Sequence, residues 1–134
     1  MPSRLSACGF IALLAALATL PGCNALNPLC GSARPVPVLN SISPTTVTMT
    51  EIQSTVTVVA AGSNFVSASV AQVNNSKVGT VVSSSTRIQA SVGTAYVTGP
   101  GSYLISVNTP SGNTGNLGCE SGGTSGQATL TVTN

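Results

Sequence analysis

The chain has no histidine, no tryptophan and, read along its 134 residues, no aspartate. Its acids are Glu51 and Glu120, and its cations are Arg4, Arg34, Lys77 and Arg87. Each shortage removes a class of function. Without histidine, neither a Ser-His-Asp triad nor a His-ligated metal can be built. Two acids far apart in the sequence make a paired-carboxylate hydrolase a poor expectation. A formal net charge of +2 from scattered cations cannot neutralise a run of phosphates, so no nucleic-acid partner is expected. A serine or threonine nucleophile would have no base to activate it. The composition therefore implies no enzyme, no cofactor and no metal.

The N-terminal segment reads as an address. Residues 1–6 are polar with one cation, Arg4, and residues 7–20 are almost wholly apolar. About 14 apolar residues at ~1.5 Å each reach roughly 21 Å, short of a ~30 Å hydrocarbon core. A positive start, a short apolar stretch and small residues after it make a secretory signal peptide. Its end, Leu20-Pro21-Gly22-Cys23, resembles the lipobox of bacterial lipoproteins. The resemblance implies a signal peptide over 1–22, cleaved before a diacylated Cys23 whose new amino group is also acylated. The membrane is then a partner through the lipid anchor, because each buried CH₂ contributes ~0.8 kcal/mol and several chains hold stably. Asn24 after the cysteine implies the outer membrane rather than the inner. The alternative is ordinary cleavage after Ala16-Leu17-Ala18, which leaves Cys23 a plain thiol.

Four cysteines are present: Cys8, Cys23, Cys30 and Cys119. Cys8 leaves with the signal. If Cys23 carries lipid, Cys30 and Cys119 remain in a compartment where disulfides persist. One bridge between them would close a loop of about 90 residues, worth roughly 4 kcal/mol in the chain-entropy model. Two free thiols are the alternative. Without lipidation, three thiols compete and the pairing is ambiguous.

Residues 23–36 contain Pro28 and Pro35 with Gly31 and Ser32, and Pro37 follows at once. Proline fixes φ and removes a donor, so this stretch reads as an extended tether. Beyond it no window has a convincing 3.6-residue period. Alternation with period 2 is frequent instead. Val56, Val58 and Ala60 share a face; so do Ile88, Ala90 and Val92; so do Tyr103, Ile105 and Val107; so do Ala128, Leu130 and Val132. Further runs lie at 38–42, 70–73 and 78–82. Gly62-Ser63-Asn64, Asn74-Asn75-Ser76, Gly99-Pro100-Gly101 and Pro110-Ser111-Gly112 punctuate them. About seven short strands, each with an apolar face and a Ser/Thr face, predict an all-β antiparallel sandwich over 37–134. The short connections disfavour parallel sheet.

The same residues resemble an IPT/TIG domain, an immunoglobulin-like fold. The pattern opens with Leu39-Asn40-Ser41-Ile42-Ser43-Pro44 and continues through residues 56–65, a strand ending in Gly62 and Phe65. It runs on through 69–74, 83–90 and 100–110 to a last strand at 128–133. Two departures stand out. Thr50-Glu51-Ile52-Gln53 replaces the glycine usual before the second strand, and the loop bearing Cys119 is long. Structural roles are expected for three residues. Gly62 would permit a turn with φ > 0. Phe65 would plug the core. Tyr103 would bury its ring and hydrogen-bond a neighbouring backbone with its hydroxyl. Tyr96, in a loop, would cap the sandwich or bind a ligand. The function expected is a non-enzymatic, lipid-anchored module of the cell envelope for binding or adhesion, with a protein or glycan partner. The alternative is a structural accessory subunit or spacer of an envelope complex.

Overall fold

The computed structural model describes residues 34–112 and 122–134. In chain order the elements are β1 (Val38–Ser43), β2 (Thr46–Thr48), α1 (Met49–Gln53), β3 (Val56–Ser63), β4 (Val70–Val73) and β5 (Ser76–Lys77). They are followed by β6 (Gly79–Ser84), β7 (Arg87–Val92), β8 (Gly101–Thr109), β9 (Gly123–Thr124) and β10 (Ala128–Thr133). One sheet has the order β1-β3-β7-β6. The other runs β2-β10-β8-β4-β5, with β9 on the end of β8. Two antiparallel-rich sheets of A-B-E-D and G-F-C type face one another, which is the immunoglobulin-like sandwich.

Period-2 alternation determines which side chains meet between the sheets. Along β7, Ile88, Ala90 and Val92 are buried while Arg87, Gln89 and Ser91 are exposed. On β10, Leu130 and Val132 are buried while Thr129, Thr131 and Thr133 face solvent. These residues join Val58, Phe65, Ile105 and Val107 in one buried cluster. Burying apolar area at roughly 25 cal/mol per Å² is what drives the two sheets together. Outside the core the turns carry the special backbone. Asn74 and Asn75, at φ 46° and 68°, join Val73 to Ser76 in the two-residue turn that suits the twist of a hairpin.

Three findings depart from the sequence expectation. First, three strands, β2, β5 and β9, are only two or three residues long, below what alternation can show. Second, β2 pairs parallel with β10, Val47 against Val132. The first strand leaves one sheet after Ser43, and its continuation, β2, joins the other beside β10 without any crossover. Third, Met49–Gln53 is a helix of five residues. Too short for periodicity, it is held by a capping box. The Glu51 amide donates to Thr48 Oγ1 at 3.3 Å, and the Thr48 amide donates to a Glu51 carboxylate oxygen at 2.7 Å. The Thr48-Met49-Thr50-Glu51 spacing is the signal for it.

The helix ends expensively. Thr55, just past its C-cap, sits at φ 61° with its amide donating to the Ile52 carbonyl at 3.1 Å. Glycine is the usual residue there, since a β-branched side chain in the left-handed region costs about 1–2 kcal/mol. Thr55→Gly is expected to stabilise the domain by about 1 kcal/mol after the extra unfolded-chain entropy is counted. A thermal melt should rise by roughly 4–8 °C. An unchanged or lower midpoint would show that the threonine is not strained.

Candidate functional site

The two ends of the sandwich are built differently. The tether end gathers residues 34–37, the loop 64–69, the Ser85-Thr86 turn and both feet of the loop that follows β8. Arg34 Nη1 donates to the Pro110 carbonyl at 3.2 Å and to the Ser111 carbonyl at 3.4 Å. Asn64, at φ 62°, turns its Nδ2 toward the Val36 carbonyl at 3.1 Å. Pro37 is fully buried. Val36 lies beside Gly123 on the far foot of the loop. The last residues of the tether are therefore fastened to the sandwich at several points.

Phe65 is 3% exposed and belongs to the core, and its amide donates to the Ser85 carbonyl at 3.0 Å. Gly62 requires a correction. Its φ is not positive; the left-handed residue of this turn is Asn64. A side chain at Gly62 would instead run into the Val38 carbonyl of β1 and lie 2.7 Å from the tip of the Phe65 ring. Glycine is needed there for close approach, not for dihedral freedom. Beneath the loop, Ser69 and Thr109 share a buried hydroxyl hydrogen bond of 2.7 Å, and Ser69 Oγ also accepts from the Val66 amide at 3.0 Å. Ser125 fills the gap between β9 and β10. Its Oγ accepts from the Val107 amide at 2.9 Å and its own amide donates to the Val107 carbonyl at 2.8 Å.

At the opposite end the Tyr103 ring packs half-buried against the core. Its hydroxyl donates to the Gly99 carbonyl at 2.8 Å and accepts from the Gly99 amide at 3.3 Å. A tyrosine at the start of this strand, bonded to backbone a few residues upstream, is the tyrosine corner of immunoglobulin-like sandwiches. Tyr96 packs against the same cluster, so its ring caps the core. A groove of about 560 Å³ crosses the outer face of the β1-β3-β7 sheet. Its walls include Ser41, Ser43, Val59, Thr86 and Arg87, with neither an aromatic ring nor a carboxylate among them.

These arrangements hold and cap; none places a nucleophile beside a base. Among the described residues no group of three or more His, Cys, Asp or Glu side chains could hold a metal. Cys23, Cys30 and Cys119 lie outside the described residues. The sequence carries signals for the roles of Thr109 and Asn64 beyond those of a strand end and a turn. Thr109 continues the inward parity of Tyr103, Ile105 and Val107. Asn64 tolerates the left-handed region better than its neighbours do. Arg34 and Ser125 carry no such signal, because their bonds cross the fold. No family model matches the chain, and no curated protein matches its sequence.

Gly62→Ala is expected to destabilise the domain by about 1–3 kcal/mol, because the added methyl group has backbone on one side and the Phe65 ring on the other. Gly99→Ala, which meets nothing within 4 Å, is the comparison. Equal denaturant midpoints for the two variants would contradict the close-approach role.

Proposed function

We propose that this chain is a non-enzymatic, lipid-anchored immunoglobulin-like module of a bacterial cell envelope, of the IPT/TIG kind, that works by binding or adhesion. The observation that carries this reading is the fastening of residues 34–37. The chain coming from Cys23 joins the sandwich at the end where Arg34, Pro37 and Asn64 hold it, while β10 finishes at the other end. A module anchored through Cys23 would thus present the Tyr96 loop and α1 away from the lipid. Among the described residues no helix is long and apolar enough to cross a membrane. Attachment by acyl chains on Cys23 is the proposed route, with the outer membrane as its place.

A bridge between Cys30 and Cys119 belongs to the same proposal. Four residues span up to about 13 Å of extended chain, so Cys30 is within that reach of Arg34. Arg34 bonds one foot of the loop that carries Cys119, and Val36 lies against the other. A disulfide there would lock the anchor-side chain to the loop.

The placement of the tyrosines favours a second reading, a structural accessory subunit or spacer of an envelope complex. Both rings are packed against the core, which leaves little to stack on a sugar. Crosslinking in the native envelope, set beside a glycan array, separates the two. A stable protein partner supports the accessory role, and glycan binding supports adhesion.

Two measurements test the anchor and the bridge. Intact mass of the membrane-extracted protein is expected to show acyl mass on Cys23; a soluble form beginning at Thr19 would refute it. A non-reducing peptide map is expected to join the Cys30 and Cys119 peptides. Recovering them separately without reductant would remove the bridge.

A further inference from the structure

Single exposed apolar side chains are ordinary on a soluble domain. Val36 and Val38 are a pair, 50% and 44% exposed, at the point where the tether joins the sandwich. Strand register shows what stands beside them. Val38 pairs with Ser63, Ser41 with Ala61, and Ala61 in turn with Arg87. Ser63 and Ala61 are two residues apart on β3, so Val38, Ser41 and Arg87 share the outer face of the four-stranded sheet. Strands about 4.8 Å apart, with about 3.3 Å per residue, put the Val38 and Arg87 backbones about 12 Å from each other. Between them lies the groove of about 560 Å³, lined among others by Asn40, Ser41, Gly62, Thr86 and Arg87, and by no carboxylate.

Charge is the smaller part of this patch. Arg34 already bonds the Pro110 and Ser111 carbonyls. Lys77 is on β5, in the other sheet. Glu51, the acid of the described residues, is on α1 at the far end, and Glu120 lies outside them. Arg87 is thus the cation that this face offers, beside two valines.

We infer that this corner of the sandwich docks on the lipid bilayer that holds the anchor. Val36 and Val38 enter the interfacial layer, and the Arg87 guanidinium meets lipid phosphate at the mouth of the groove. The inference rests on the lipid-anchor reading and states where the domain sits once tethered. Eleven residue steps lead from Cys23 to Arg34, at most about 40 Å of extended chain. Val36 and Val38 follow at once, so the bilayer is the surface that the anchor brings to them. The tether makes that contact intramolecular, at high effective concentration. A small patch suffices there, whereas a stable soluble partner needs about 1,200 Å² of buried surface.

The test uses the full chain as extracted from membranes. It is reconstituted into vesicles of phosphatidylcholine and phosphatidylglycerol that include a lipid with a photoactivatable headgroup. The vesicles are floated and irradiated, and the labelled peptides are mapped. Label is expected in residues 36–43 and 84–89, well above that in α1 and residues 101–105. Changing Val38→Ser and Arg87→Gln together should cut it about fivefold or more. Leu104→Ser with Lys77→Gln, a matched pair on the other sheet, should leave it unchanged. All four positions are exposed, so both double variants should melt with the unmodified chain. A chain that does not float overturns the anchor and the docking with it. A chain that floats with α1 labelled as heavily as β1, or with equal labelling in the two double variants, overturns the docking alone. Label on the patch that needs a second protein would do the same.

Discussion

Strand β8 is hydrogen-bonded along both edges, and the other strands of its sheet take their places from it. On one side it meets β10 and then β9; on the other it meets β4. Its inward residues, from Tyr103 through Ile105 and Val107 to Thr109, span the sandwich from end to end. Neither end is left to packing alone. Tyr103 ties the start of the strand to Gly99, and Thr109 ties its end to Ser69. With both ends bonded and both edges paired, the strand has one register available, and a slip by one residue would turn Ile105 and Val107 out to solvent.

The interior around β8 is unusual for this architecture in what it does without. Antibody domains place a tryptophan against an inter-sheet disulfide, whose second cysteine follows the corner tyrosine by two residues. Here that position is Ile105, and the chain contains no tryptophan. The layer between the sheets is filled by valine, isoleucine, leucine and alanine, with Phe65 closing one end. Branched aliphatic side chains have few rotamers to lose on burial and suit the pleated surface. Cohesion therefore comes from apolar area and from ladder hydrogen bonds rather than from a covalent tie within this layer. The buried hydroxyls of Ser69, Thr109 and Ser125 each have a hydrogen-bond partner.

How much of this was legible in the sequence follows from the range of each interaction. Alternation is local, so Ile88-Gln89-Ala90-Ser91-Val92 announced both a strand and its inward face. Turn signals are local too, and Asn74-Asn75-Ser76 marked the break after the run at 70–73, though the two residues of β5 carry no pattern of their own. The capping box of α1 was equally local but only four residues long, and a search for helical periods passes over it. Gly62 illustrates the other limit. That a glycine was needed could be read from the chain; the reason lay in a carbonyl of Val38, placed there by sheet pairing. Arg34 and Ser125 matter through bonds to residues 76 and 18 positions away, and nothing in their immediate neighbours encodes such bonds. The position of β2 beside β10 belongs with them, because a three-residue strand has no pattern of its own.

That parallel contact also governs how the domain would bear a pull. The tether enters at one end and Asn134 lies at the other. A load applied between Arg34 and Asn134 draws β2 and β10 past each other along their length, in opposite directions. The bonds joining them, among them the Thr131 amide to the Thr45 carbonyl at 2.8 Å, lie across that direction. They must give way together rather than open one after another as in a zip. The fold is thus arranged to resist tension between its two ends in shear, through a contact of only three residue pairs.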